Sequence, residues 1–318
     1  MSFRGSTFMK AHSMRHINIQ HFAFIGILLL SFGFSSQVFS YEPNAHFSLE
    51  IQEVTYRKNA QGRELIARIY KPIGQGPFPV IVDFHGGAWN AKDRFAEEPM
   101  DKSLAQSGLV VVAVDLTLAK QSPYPANLQD ASYAIRWIKF HAHEWSGDSN
   151  LLGIYASSSG GHVAELLQMK PDHPIWSALM FKENTSLNSN VNFLILRSPI
   201  SNTRARYENA LEKKRPNMIQ NNVNYFAPWS TIDEANPQAI LDRHERVSLK
   251  PILIMQGELD DNVLPSVQMH FCETYKKAGG DCTIEIFPGS EHEWVATPGL
   301  QTNRAQDLAR RFIAEQLK

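Results

Sequence analysis

Apolar residues recur along this chain with two different spacings, and the alternation between them predicts a regular series of strands and helices. Short apolar runs at 80–84, 109–114, 191–196, 251–256 and 282–287 have the length and punctuation of strands. The run at 109–114 is apolar on both faces, as a strand buried in a parallel sheet must be. Two further extended segments, 47–56 and 64–71, flank the turn-like Asn59-Ala60-Gln61-Gly62 and predict an antiparallel edge. Helical spacing is found at 96–106, 127–145, 267–278 and 300–317; in the second, Leu128, Ala131, Ala134, Ile135 and Ile138 share one face. This order predicts an α/β fold, a mostly parallel central sheet of about eight strands with helices on both faces.

Two stretches break the pattern. Residues 201–248 are long and polar between two core strands, and carry Tyr207, Tyr225, Phe226 and Trp229. That length exceeds an ordinary crossover, so a partly helical, cap-like insertion lying over the strand ends is expected. At the N-terminus, Arg4, Lys10 and Arg15 precede an apolar run at 22–34, and Val38-Phe39-Ser40 offers small residues at a cut site. This is the form of a secretory signal peptide over residues 1–40, cleaved after Ser40, with no stable membrane span left after its removal. The expected destination is secreted or periplasmic. In such a compartment Cys272 and Cys282, the only cysteines, can bridge the 267–278 helix to the last strand.

Charge narrows the partners. The formal net charge is -1; the leader removes three basic residues, leaving 31 - 3 = 28 basic against 32 acidic, or -4, in the mature domain. With no basic block, the footprint of a nucleic-acid binder is missing. No phosphate loop or dinucleotide fingerprint occurs, so no cofactor is expected. The cluster His141-Ala142-His143-Glu144 sits in the last turn of a helix, where histidine suits the dipole, and no metal is expected there.

Candidate chemistry centres on 153–169, GIYASSSGGHVAELLQM, which reads as strand, sharp turn and helix. The turn is an imperfect G-x-S-x-G, with Ala156 in the first glycine position, and its register makes Ser158 the nucleophile candidate over Ser157 and Ser159. A serine hydroxyl needs a base, and the base an orienting acid. The strand at 251–256 runs into Gly257-Glu258-Leu259-Asp260-Asp261-Asn262, which offers Asp260 with Asp261 as a competitor. The last strand runs into Pro288-Gly289-Ser290-Glu291-His292, which offers His292. An oxyanion needs fixed donors, and the turn His85-Gly86-Gly87-Ala88-Trp89 supplies the N–H groups of Gly87 and Ala88, joined by that of Ser159. Trp89, Tyr225, Phe226 and Trp229 are candidate walls of a substrate pocket.

The segments Phe78-Pro79-Val80 through HGGAW, Gln129-Asp130 to Arg136-Trp137, SSSGGH, GELDDNV and GSEH together resemble the α/β-hydrolase superfamily. Within it they resemble carboxylesterases of the hormone-sensitive-lipase-like and feruloyl or acetyl-xylan esterase-like types. The resemblance implies an α/β-hydrolase catalytic domain over 41–318 acting on a small-molecule or carbohydrate-linked ester, short-acyl or aryl, through an acyl-enzyme. Two other readings share the motifs: a serine peptidase of the prolyl-oligopeptidase type, for whose propeller the chain has no length, and a silent hydrolase fold used for binding, suggested by Ala156.

Overall fold

Segments with alternating apolar faces pair edge to edge in the structure, a computed structural model describing residues 41–318. The leader expected over residues 1–40 lies outside the described residues. Strands β1 (Leu49–Lys58) and β2 (Glu64–Pro72) form the expected antiparallel hairpin. Then come β3 (Phe78–Phe84), α1 (Glu98–Gln106), β4 (Val110–Val114), α2 (Ala126–His141), β5 (Gly147–Ser157) and α3 (Ser159–Met169). After β6 (Leu194–Arg197) the inserted segment carries α4 (Thr203–Glu212), α5 (Pro216–Tyr225), α6 (Thr231–Glu234) and α7 (Pro237–Asp242). The series ends with β7 (Ile252–Gly257), α8 (Pro265–Lys277), β8 (Cys282–Phe287) and α9 (Leu300–Gln316).

Among the described residues one sheet holds eight strands in the order β1-β2-β4-β3-β5-β6-β7-β8. The β1–β2 and β2–β4 pairs are antiparallel and all the others parallel. The period of two along each strand divides the core in two. Val80, Val82, Val112, Ile154, Leu196 and Ile254 face one layer with helices α2, α3 and α8. Ile81, Val111, Tyr155, Ile195 and Leu253 face the other, with α1 and α9. Both faces of the central strands are therefore dry, which is why these runs read as continuously apolar.

The helix expected over 127–145 stops as an α-helix at His141 and closes in a 3₁₀ turn, Ala142–Trp145. Ser146 follows in the left-handed region at φ 58, where an α-helix cannot continue. Within that end, His141 Nδ1 lies 2.7 Å from Glu144 Oε1, and His143 Nδ1 lies 3.0 Å from the Phe140 carbonyl oxygen. The strand expected at 191–196 is shorter, because Val191 N–H donates to Gln168 Oε1 at 3.0 Å instead of entering a ladder. Cys272 and Cys282 form a disulfide, with Cα atoms 5.6 Å apart, that joins α8 to the start of β8. No helix among the described residues is long and apolar enough to cross a membrane.

Candidate active site

The elbow is built by close approach. Ser158 lies between the end of β5 and the start of α3 at φ 50 and ψ -115, a conformation that costs a non-glycine residue of order 1–3 kcal/mol. Its neighbours hold it there: Ser158 N–H donates to the Arg197 carbonyl at 2.9 Å, and its own carbonyl accepts from Ile200 N–H at 3.1 Å. Gly160 is obligatory, since a Cβ there would lie 1.9 Å from the Phe84 carbonyl oxygen. Ala156 meets no such limit. It lies in regular β5, paired with Phe84 and Leu196, and its methyl joins the core. The departure from glycine therefore costs the turn nothing, and the ground for a silent fold goes with it.

His292, in the loop after β8, links the two partners. Its Nε2 lies 3.0 Å from Ser158 Oγ and its Nδ1 2.8 Å from Asp260 Oδ2. With Nδ1–H donating to the carboxylate, Nε2 is left to accept the serine proton. Asp260 Oδ1 accepts from the N–H groups of Asn262 at 3.0 Å and Val263 at 2.8 Å. Burial pushes the Asp260 carboxyl up, but His292 and the Val263 N–H outweigh it, so the net effect holds the carboxyl below its ordinary value. Asp261 points elsewhere: it is exposed and pairs with Arg215.

Beside Ser158 the turn after β3 runs through Gly87 at φ 100, Ala88 at φ 51 and Trp89 at φ 61. Among the described residues, neither Gly87 N–H nor Ala88 N–H donates to a protein acceptor. Ser159 N–H opens α3, where helix geometry leaves the first amides without partners and the dipole favours an anion. Ser159 contributes more than its amide, since its Oγ accepts from Trp89 N–H at 3.1 Å and ties the turn to the elbow. His85 Nδ1 donates to the Gly86 carbonyl at 2.8 Å, and burial pushes its pKa down. It is a neutral strut, away from the Ser158–His292 contact.

A cavity of about 220 Å³ opens onto Ser158, His292, Gly87 and Ala88. The expected aromatic walls are not among its lining residues. Trp89, Tyr225 and Phe226 are buried, and Trp89 stacks on Tyr225 with centroids 4.5 Å apart and meets Phe226 at 5.3 Å. Such contacts contribute about 0.5–1.5 kcal/mol per pair beyond burial, and here they brace the turn from behind. Trp229 packs on Tyr207 at 4.6 Å and under Arg204. The walls facing Ser158 are instead mostly polar, with Arg206 from α4 and Asn221 from α5 beside the apolar Met218. Packing between aromatic side chains outcompeted their exposure to a ligand.

The BD-FAE family model matches residues 68–274, well over half of the chain, a span that carries the turn, the elbow and Asp260. The chain belongs to the BD-FAE family. Among curated proteins, Carboxylesterase NlhH of Mycobacterium tuberculosis is 31% identical over 106 residues, 33% of each chain. The match thus spans about a third of the length of the first curated relatives. An AB hydrolase superfamily protein of Schizosaccharomyces pombe is 27% identical over 253 residues, 72% of this chain and 68% of its own. Among solved structures, Thermogutta terrifontis esterase 2 phosphorylated by paraoxon superposes with a TM-score of 0.67 at 25% identity, over 84% of this chain and 94% of that one. The fold is that of an α/β hydrolase, and the resemblance to carboxylesterases read from the motifs stands.

In this BD-FAE member several supports carried no signal in the sequence. Gln256 donates from Nε2 to Asp260 Oδ2 at 3.1 Å and to the Val263 carbonyl at 3.0 Å, clamping the acid's loop. Arg197 Nη1 donates to the His292 carbonyl at 2.6 Å, while Nη2 pairs with buried Glu97 at 2.8 Å. Burial pushes Glu97 up, but Arg197 outweighs it and the carboxyl lies below its ordinary value; Asp83 and Asp101 are pushed well above theirs by burial and the neighbouring acids. One guanidinium sustains one ionised carboxylate in this dry layer. His162 accepts from Trp89 Nε1 at 3.2 Å and donates from Nε2 to the Ala235 carbonyl at 2.7 Å. Burial lowers its pKa to about 4, against the pull of that carbonyl, so it joins the turn to the inserted segment as a neutral ring.

Proposed function

We propose that this chain is an exported serine carboxylesterase that cleaves short-acyl or aryl esters through an acyl-enzyme. The observation that carries the reading is His292, 3.0 Å from Ser158 Oγ and 2.8 Å from Asp260 Oδ2, at a strained elbow beside unpartnered amides. Ser158 Oγ attacks the ester carbonyl carbon as its proton passes to His292 Nε2. Asp260 steadies the imidazolium, and the N–H groups of Gly87, Ala88 and Ser159 hold the oxyanion. Collapse of the tetrahedral adduct breaks the carbon–oxygen bond, with His292 returning the proton to the departing alcohol. Water, deprotonated by His292, then attacks the acyl-serine and releases the acid and Ser158.

The preference for small esters is supported by the cavity of about 220 Å³, below the roughly 300 Å³ at which pockets for drug-sized ligands begin. Export is supported by the disulfide, which persists in oxidising compartments. The test is a fluorophosphonate probe applied to wild type and to Ser158→Ala, with 4-nitrophenyl acetate turnover measured alongside. Wild type labels; the alanine variant does not, and its kcat falls by at least about 10⁴-fold. Equal labelling of the two proteins rules the reading out.

A further inference from the structure

The cavity over Ser158 has three cations on its wall, Lys92, Arg197 and Arg206. Lys92 pairs with Glu293 at 2.5 Å and Arg197 with Glu97 at 2.8 Å. Arg206 has no such partner. Its residue is 5% exposed, its Nε donates to Asn262 Oδ1 at 3.0 Å, and its Cζ lies 5.6 Å from the Trp89 ring centroid. Neither terminal nitrogen reaches a protein acceptor among the described residues, and Nη1 is fully buried. The carboxylate that acts on it, Asp260, has both oxygens engaged by His292, Gln256, Asn262 and Val263. Burial pushes the guanidinium down to about 10, with Asp260 opposing, so it is charged at neutral pH.

A buried guanidinium with idle donors is costly in the free enzyme, and that cost is recovered when an anion supplies two acceptors in the matching planar geometry. A carboxylate has that geometry. We propose that Arg206 is a specificity-determining residue that receives a carboxylate carried by the substrate itself, so that the preferred ester is anionic. This rests on the esterase reading above. It also gives a reason for the polar wall: Asn262 fixes the guanidinium at Nε and leaves the terminal nitrogens for the ligand. The carboxylate can arrive on the acyl side, as in a dicarboxylic acid monoester, or on the alcohol side, as in an acylated hydroxy acid.

The experiment uses matched pairs of anion and neutral amide, followed by acid release in a pH-stat. Monomethyl succinate is set against methyl succinamate for the acyl side, and acetoxyacetate against acetoxyacetamide for the alcohol side, with methyl butyrate as a neutral reference. One pair shows a kcat/KM at least about tenfold higher for the anion in wild type, and identifies the side; in Arg206→Gln that ratio falls to about one. Hydrolysis of methyl butyrate without anion preference in either pair overturns the proposal and leaves the esterase reading intact. Failure with every ester, neutral ones included, sinks both. If Arg206→Gln does not fold, wild type decides alone through inhibition. Succinate then competes at least about tenfold more tightly than succinamide, and equal potency overturns the proposal.

Discussion

At the scale of single residues, proton placement explains a polar contact deep in the helical layer that the sequence pattern did not foreshadow. Ser201 Oγ lies 2.6 Å from Glu165 Oε1 and 2.7 Å from Gln268 Oε1. A hydroxyl has one proton for two acceptors, and Gln268 already donates its amide to the Pro199 carbonyl at 2.7 Å. The missing proton sits on Glu165, and burial accordingly pushes that carboxyl up to about 8, against the pull of Ser201. The folded value lies above the ordinary 4.5, so the folded chain holds the extra proton between those values and stability falls as pH rises through that window. From pH 6 to 8 the loss is about 2 kcal/mol at this site. Urea unfolding of Glu165→Gln should show a decline over that range smaller by this amount; parallel declines in the two proteins count against a protonated Glu165. Ser158, His292 and Asp260 were legible because their loops follow apolar strands, whereas Glu165 lies inside a helix whose every residue is buried.

Among elements, the disulfide joins the middle of α8 to the strand that leads into the His292 loop. It closes a short loop of sequence separation 10, and the chain-entropy account assigns such a loop about 3 kcal/mol. Replacing both cysteines with alanine should lower Tm by several degrees in calorimetry, and treating wild type with dithiothreitol should reproduce the shift. An unchanged Tm in both would show that α8 and β8 are held by packing alone. The inserted segment is where element-level reading was weakest. Its four short helices expose apolar residues such as Leu211 and Val223 beside polar ones, so the pattern announced an insertion without saying which residues turn inward. Arg206 and Asn221 face the cavity, while Tyr225 and Phe226 turn back against Trp89.

For the molecule as a whole, the proposed cut falls just before Tyr41, a residue of the folded domain. Tyr41 is buried, and its hydroxyl lies 2.8 Å from Ser107 Oγ beside α1. A mature chain starting at Tyr41 keeps this contact. Expressed with its leader in a secreting host, the protein should yield the N-terminal sequence Tyr-Glu-Pro, read by Edman degradation or intact mass. A product retaining residues upstream of Ser40 argues against export by cleavage at that site.

The sequence by itself determined the α/β fold, the order of the elements and the three loops that meet over Ser158. Each follows from local information: strand period, helix period, and small residues at turns that larger ones cannot enter. Tertiary structure alone decided the rest. It separated Asp260 from Asp261 by which carboxylate meets His292, and turned Ala156 from a defect into an ordinary strand residue. It also took the aromatic residues out of the cavity and left Arg206 there with idle donors. These outcomes depend on which side chains from distant segments reach one another first, and composition and periodicity carry no record of that.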